Sequence, residues 1–396
     1  MAERAARKTE ILVLNQISPA GLKQFPSEIY VTVKESQSPD AILVRSQDLH
    51  GFSFGSNLKA VGRAGAGVNN IPVRELSARG VPVFNAPGAN ANAVKELVIA
   101  GMLLAARNLA SALEFVRALD PRAGDLERAV ESAKKQFAGV ELPGHTLGVI
   151  GLGKIGSMVA DAAIRLGMHV LGYDPEITVD AAWGLPSGVR RAGSIDEVLR
   201  ASHFVTLHVP LLDSTRNMVG THNIEHLRPG SVLLNFSREE VVENAAVTRA
   251  LEANRLKYYV SDFPASELLG NPGVVALPHL GASTREAEEN SAAMVVNQLR
   301  DYLEDGILRN AVNFPEAAMA RESPYRLAIA NTNVPDMLAR ISHALGRSGI
   351  NIHNMLNKSR VDMAYTLVDV DSEVRQQTLD ELRQIDGVLG VRYLAK

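Results

Sequence analysis

The sequence predicts an α/β fold: two doubly wound parallel-sheet domains followed by a small βαββαβ unit. Three observations carry this prediction. Short apolar runs alternate with helix-period segments twice over, across residues 10–95 and again across 140–285. The second alternation opens on TLGVIGLGKIGSMVADAAIRLGMHVLGYD at 146–174, a strand, a glycine turn, a helix, a strand and an acid in succession. Residues 324–396 then carry strand and helix signals in the order βαββαβ, a ferredoxin-like layout.

The elements follow in chain order. EILVLN (10–15), AILVRS (41–46), LKAVGRAG (58–65) and VPVFNAP (81–87) are the strand candidates of a first domain. This domain spans 1–95 and is completed by about 286–315. A single helix is expected from Ala93 to Leu119, on the apolar spacing of Val94, Leu97, Val98, Met102, Leu103 and Leu113.

The second domain, 96–285, contains the 146–174 stretch. Gly151 permits the tight turn, Gly153 lets the backbone approach a pyrophosphate, and Gly156 lets helix and strand pack closely. Ile155, Met158, Val159, Ala162 and Leu166 share the next helix face, and Gly167 stops it. The helix start offers free N–H groups and partial positive charge to phosphates. Asp174, 18 residues after Gly156, is placed to bond ribose hydroxyls and to repel a 2′-phosphate. Pro175 and Glu176 supply no compensating cation, so the expected cofactor is NAD rather than NADP, on a Rossmann-like domain. A glycine-rich turn that binds nothing is the plain alternative, and the strand, helix and acid around it weigh against that.

Later strands of this domain are HFVTLHVPL (203–211), GSVLLNFS (230–237), KYYVSDF (257–263) and GVVALPH (273–279), with helices at 193–201 and 243–254. A helix at 284–303 leads to a Pro/Ala/polar segment, 311–324, that reads as a linker. The C-terminal unit has strands at 326–331, 351–356, 363–370 and 387–394 and helices at 335–349 and 372–385.

Composition narrows the function classes. The 396 residues are 46% apolar and 21% charged, an ordinary globular balance with room for two or three cores. A net charge of −3 provides no electrostatic case for nucleic acid or a membrane surface. With no cysteine, thiolate catalysis, disulfides and Cys-zinc sites are excluded. The opening MAERAARKTE lacks the apolar stretch of a secretory signal, and the longest apolar run, Leu97–Ala106, is too short to span a bilayer. A cytoplasmic protein is the expectation, with a small-molecule partner and no metal.

Three polar stretches interrupt or end strands of the second domain, where such a sheet presents residues to its ligand. They are NFSR with Arg238, SDFPASE with Asp262 and Glu267, and LPHLGAST with His279 and Gly281. With a nicotinamide cofactor to accept the hydride, an arginine, a carboxylate and a histidine suffice to oxidise a 2-hydroxy acid. The guanidinium clamps a carboxylate bidentately, the imidazole takes the hydroxyl proton, and the acid orients the imidazole. Each has a plainer reading when taken singly: a strand-end histidine, an arginine paired with Glu239 or Glu240, a solvated loop acid.

GLGKIG followed by GYDP, HVPL, NFSR, DFPASE and PHLGAST resembles the D-isomer-specific 2-hydroxyacid dehydrogenases over residues ~40–300. Carried over position by position, the resemblance implies Arg238 for the substrate carboxylate, Glu267 as the histidine's partner and His279 as acid/base. It implies Asp262 facing the nicotinamide amide and Lys154 and Ile155 along the pyrophosphate. Val209, Phe236, Ser237, Gly281 and Ala282 would line the cofactor. Arg63, Gly65 and Gly67 match the family's substrate-domain loop. The implied reaction is NAD-dependent oxidation of D-3-phosphoglycerate to 3-phosphohydroxypyruvate, the entry to phosphorylated L-serine synthesis. Arg45 and Lys95 are further candidates for the substrate phosphate or else ordinary surface cations. The C-terminal unit, 324–396, resembles an ACT domain, which implies an amino-acid effector near Asn331, Asn333 and Asn351 and a homodimer or homotetramer. A hydroxypyruvate or glyoxylate reductase with the same catalytic set remains open, as does an NAD-sensing binding protein without turnover.

Two departures from the family pattern carry expectations. Glu239 stands where glycine usually follows the catalytic arginine; if that position needs φ > 0, glutamate costs roughly 1 kcal/mol or more. Asp336 likewise stands where the resembling unit commonly has glycine.

Overall fold

A computed structural model describes residues 7–122 and 124–396. The first part of the opening MAERAARKTE stretch, residues 1–6, lies outside the described residues. The chain forms two compact units, residues 91–287 as one and residues 1–90 with 288–396 as the other.

The first elements are β1 (Thr9–Val13), α1 (Pro19–Leu22), β2 (Tyr30–Val33), β3 (Ala41–Val44), β4 (Ala60–Arg63), α2 (Val73–Ala78) and β5 (Val83–Phe84). They make a five-stranded parallel sheet of order β2-β1-β3-β4-β5. Strand β3, AILV, is buried at every position, as expected for a strand covered on both faces. Strand β2 escaped the sequence reading because it is an edge strand: Val31 and Thr32 face solvent, so no apolar run marks it.

The next unit begins with α3 (Ala91–Ala106), α4 (Leu109–Ala118) and α5 (Leu126–Ala133). The single helix expected over 93–119 is instead two helices bent by 67°. Asn108, with φ 51, makes the break; asparagine tolerates this left-handed conformation. Its amide also donates to the carbonyls of Phe137 and Ala138 and accepts from the Tyr258 hydroxyl. Then come β6 (Thr146–Ile150), α6 (Lys154–Arg165), β7 (His169–Tyr173), α7 (Val179–Trp183), β8 (Val189–Arg191), α8 (Ile195–Ala201), β9 (Phe204–Leu207), β10 (Ser231–Asn235), α9 (Asn244–Glu252), β11 (Leu256–Ser261) and β12 (Val274–Ala276). The seven strands are parallel, in the order β12-β11-β10-β9-β6-β7-β8. The order reverses between β6 and β9, the switch point at which an open sheet of this type opens a crevice. Among the described residues no single helix is long and apolar enough to cross a membrane.

The chain continues through α10 (Arg285–Asp305), β13 (Tyr325–Thr332), α11 (Met337–Arg347), β14 (Ile352–Arg360), β15 (Met363–Val370), α12 (Gln376–Arg383) and β16 (Val388–Ala395). Strands β13–β16 form an antiparallel sheet of order β14-β15-β13-β16, the ferredoxin-like arrangement expected. One sheet face buries Leu327, Ile329 and Val368 with Met337, Ile341 and Leu345 of α11 and Leu379 and Leu382 of α12. The other face carries Ala328, Ala330, Tyr365 and Leu367 into the same core as Tyr302, Leu303 and Phe314. The segment read as a linker therefore packs: Phe314 and Ala317 are buried, and Leu308 pairs with Ala317.

Arg326 holds that segment. Its side chain is 0% exposed and donates to both carboxylate oxygens of Asp369 and to the carbonyls of Asp305, Met319 and Ala320. All five guanidinium N–H groups are thereby bonded, which is the condition for burying the charge.

Candidate active site

The glycine turn follows β6. Gly151 has φ +90, and a Cβ there would lie 2.6 Å from the His208 carbonyl oxygen. A Cβ on Gly156 would lie 1.9 Å from the Gly151 oxygen, so this glycine is what lets α6 close on β6. At Gly153 a Cβ would meet nothing within 4 Å, leaving open space beside bare backbone at the start of the 12-residue α6. Lys154 and Ile155 form its first turn. Asp174 follows β7, and its carboxylate accepts the N–H groups of Leu152 and Glu176, at 2.8 and 3.0 Å. The acid is thus fixed against the glycine turn by the backbone it faces.

Arg238 follows β10 and is exposed, its guanidinium donating to the Ser237 carbonyl. Asn235 shapes this loop: its amide donates to the Arg238 carbonyl and the Tyr259 hydroxyl, and its oxygen accepts the Ser237 N–H. The Ser237 hydroxyl donates to the Leu207 carbonyl, tying the ends of β9 and β10 together. Phe236 points into the core against Gly101, so its side chain does not line the crevice. Glu239 opens a short 3₁₀ turn and is not among the residues with positive φ. The backbone cost expected of glutamate in place of glycine therefore does not arise. Asp336 is the contrary case, with φ 68 at the N-terminus of α11.

His279 lies just beyond β12, exposed, with φ 56 and its ring tilted against that of Phe263 at 4.9 Å between centroids. Asp262 holds this turn. Its carbonyl accepts the His279 N–H, while its buried carboxylate accepts those of Leu280 and Gly281 at 2.7 and 2.8 Å. Burial raises the Asp262 pKa, and the two backbone N–H groups and the His279 charge oppose that rise only in part. Asp262, His279 and Gly281 are thus brought together, and Ala282 follows them on the surface. Glu267 is exposed, and its carboxylate accepts from the Asn244 amide, which also reaches Glu239. Among the described residues no hydrogen bond joins Glu267 to His279.

In the other unit, Arg63 ends β4 and donates from Nε to the carbonyl of Arg45, one residue beyond the neighbouring β3. A Cβ on Gly65 would lie 2.0 Å from an Arg63 guanidinium nitrogen, so the end of the arginine side chain lies against that glycine, and Gly67 follows in the same loop. Arg45 is paired with Glu288 at 2.8 Å, and Lys95, in the 91–287 unit, with Asn92 and Glu96. In the ferredoxin-like sheet Asn331 is buried, donating to the Thr332 carbonyl, and Asn333 donates to that of Val361. Both lie at the end of the sheet where Asn331 is in register with Ala364, whereas Asn351 lies beside Asp371 at the other end. The separation is about 23 Å at strand rise, so one chain does not bring the three asparagines together.

Residues 99–281 match the family model described as D-isomer specific 2-hydroxyacid dehydrogenase, NAD binding domain. The D-3-phosphoglycerate dehydrogenase of Escherichia coli is 33% identical over 351 residues, covering 85% of this chain and 82% of that protein. The chain belongs to the D-isomer-specific 2-hydroxyacid dehydrogenase family. A second member, the D-3-phosphoglycerate dehydrogenase of Methanocaldococcus jannaschii, is 36% identical over 279 residues. That match takes in 68% of this chain, which spans about half (51%) of that relative's length. Among solved members, the NAD⁺-bound 3-phosphoglycerate dehydrogenase of Entamoeba histolytica shares the fold, with TM-score 0.60 and 24% identity over 77% of this chain and 99% of that one.

The cofactor of this dehydrogenase is NAD, and the residues fit it. Gly153 leaves the cradle that a pyrophosphate needs at the α6 N-terminus, and Asp174 stands where a ribose would meet it. Val209 is half-buried against the core beside this turn. One residue escaped the sequence reading. His208 sits under Gly151, its Nε2 bonded to Thr206 at 3.0 Å, its Nδ1 buried without a partner. Burial pushes its pKa down to about 3, so it stays neutral. The only trace in the sequence was HVPL, where the histidine reads as one more alternating strand residue.

Proposed function

We propose that this chain oxidises D-3-phosphoglycerate to 3-phosphohydroxypyruvate with NAD, the first step of the phosphorylated route to L-serine. The carrying observation is placement. Arg238 and His279 stand on the loops that follow β10 and β12, at the carboxyl edge of the sheet that carries the glycine turn. Relatives named D-3-phosphoglycerate dehydrogenase at 33% and 36% identity support the choice of substrate. Bound NAD supplies the hydride acceptor. Arg238 clamps the C1 carboxylate and polarises the C2 oxygen. His279 takes the C2 hydroxyl proton, and its turn is kept in place by Asp262. Glu267 orients the imidazole, exchanging the Asn244 amide for the histidine when substrate is seated. Arg63 contributes to substrate binding, with Gly65 clearing room for its guanidinium, and Arg45 serves the phosphate by releasing Glu288.

The C-terminal unit serves as an ACT-type sensor for L-serine. Because Asn351 lies at the far end of the sheet from Asn333, an effector site using both needs two copies. The exposed apolar side chains Leu109, Leu113 and Val116 on α4 support a homo-oligomer as well.

The test is NADH oxidation with 3-phosphohydroxypyruvate against hydroxypyruvate and glyoxylate, with and without L-serine. The phosphorylated substrate should win by at least about a hundredfold in kcat/KM, the discrimination a site built around a charged group achieves. Equal values reassign the enzyme to unphosphorylated 2-keto acids. NADH binding without turnover on all three leaves a binding protein.

A further inference from the structure

The unit formed by residues 1–90 and 288–396 holds a cavity of about 630 Å³. It lies at the amino-terminal edge of the parallel β1-β3-β4 sheet, bounded on the other side by β16 and the last turn of α12. Arg45 and Arg63 stand at the opposite, carboxyl edge of that sheet, so the cavity is no part of the substrate loop.

Its charge is one-sided. Arg7, Lys59, Arg79, Arg383 and Arg392 line it, and among the described residues Asp40 is the sole lining carboxylate. Lys59 and Arg7 share that carboxylate, at 2.9 and 3.6 Å. Asp40 also accepts the Glu10 N–H, so much of its bonding capacity is spent on holding β1. Arg392 lies over the Tyr302 ring at 4.4 Å and donates to the carbonyls of Tyr302 and Leu303. Arg79 lies over Phe54 and donates to the carbonyls of Phe54 and Gly55. Carbonyl partners and aromatic faces orient a guanidinium without neutralising it. Arg383 has Asp380 at 2.7 Å, and Arg79 reaches Glu75 only at 4.0 Å. Even with those two acids counted, the described residues leave two positive charges over in a concave site of ligand size.

Preformed cations in a cleft, two of them stacked and backbone-bonded, are suited to a compact anion with more than one charge. We propose that this cavity binds a diphosphate-bearing ligand, bracing the parallel sheet against the ferredoxin-like sheet. Lys59 and Arg79 act from one side, Arg383 and Arg392 from the other. Ligand bound there stabilises the folded unit by mass action, independently of the reaction at the glycine turn.

Calorimetric titration of the full chain, saturated with NADH so that the glycine turn is filled, tests this with two probes. Inorganic pyrophosphate represents a free diphosphate and ADP a nucleotide. One probe molecule per chain should bind and raise the unfolding temperature. Lys59→Gln and Arg383→Gln, from opposite walls, should each weaken binding about tenfold, while Lys257→Gln on β11 leaves it unchanged. The ligand-free unfolding temperatures of the variants report whether each is folded, and two variants guard against one failing. Binding of pyrophosphate alone, or of ADP alone, supports the proposal and names the class of occupant. Absence of binding of both probes at millimolar concentration, or binding that survives both substitutions, overturns it.

Discussion

Replacing Gly153 by alanine should separate cofactor binding from folding, and replacing Gly156 should not. Gly153 has φ −65 and ψ −164, an extended conformation open to alanine, and its new methyl would meet nothing within 4 Å. The folded state therefore loses no contact, and the unfolding midpoint should stay within about 2 °C. The methyl instead occupies the space through which a pyrophosphate approaches the backbone. NADH affinity should fall at least tenfold, about 1.4 kcal/mol. At Gly156 the added methyl would lie 1.9 Å from the Gly151 oxygen, where a carbon needs about 3.3 Å, so α6 must move away from β6 by more than 1 Å. Overpacking of that kind costs roughly 3 kcal/mol, or roughly 6–12 °C for a unit of this size. Fluorescence titration with NADH and thermal unfolding of both variants are the assays. If Gly153→Ala binds NADH like the parent, or Gly156→Ala unfolds no earlier than the parent, the assignment of the two glycines is refuted.

His279→Ala should lower turnover by a factor of about 10²–10⁴ while NADH affinity stays within about twofold, measured by steady-state kinetics and titration. Glu239→Gln should raise kcat/KM for an anionic substrate a few-fold by removing a carboxylate beside Arg238, and Glu239→Gly should bring no gain in unfolding temperature, because φ there is already negative. Asp369→Asn leaves the Arg326 charge buried without a counter-charge, and urea unfolding should show a loss of about 3–5 kcal/mol. The same pair sets an acid limit. Burial opposes ionisation of Asp369, but the bonds and charge of Arg326 prevail and hold its pKa below the ordinary 3.8. Its contribution to stability is thus complete above about pH 5 and is lost as pH falls through the ordinary 3.8 to the depressed folded-state value, a slope that Asp369→Asn should remove.

Much of the fold was legible because the information was local. Strands β3, β6, β9 and β10 are buried on both faces and announce themselves as apolar runs. Edge strands and bends were not legible. Strand β2 shows solvent-facing residues, and the break at Asn108 depends on carbonyls of Phe137 and Ala138 that lie 29 and 30 residues on. In the site, Arg238, Glu267 and His279 were marked out by their places in polar stretches at strand ends and by the resemblance to the family. The grip of Asp262 on Leu280 and Gly281 came only from the structure, because a bond across 18 or 19 residues leaves no periodic trace.

The sequence by itself determined the fold class, the glycine turn with its acid and the cofactor, since each rests on backbone conformation and on short-range spacing. Tertiary structure alone decided three other matters: that Glu239 carries no strain, that Glu267 bonds Asn244 rather than His279, and that the segment after α10 is packed rather than a linker. The reason is the same in all three. Dihedral angles at a loop residue, the partner a carboxylate finds and the burial of Arg326 against Asp369 are set by chain segments far apart in sequence, and only packing brings those segments together.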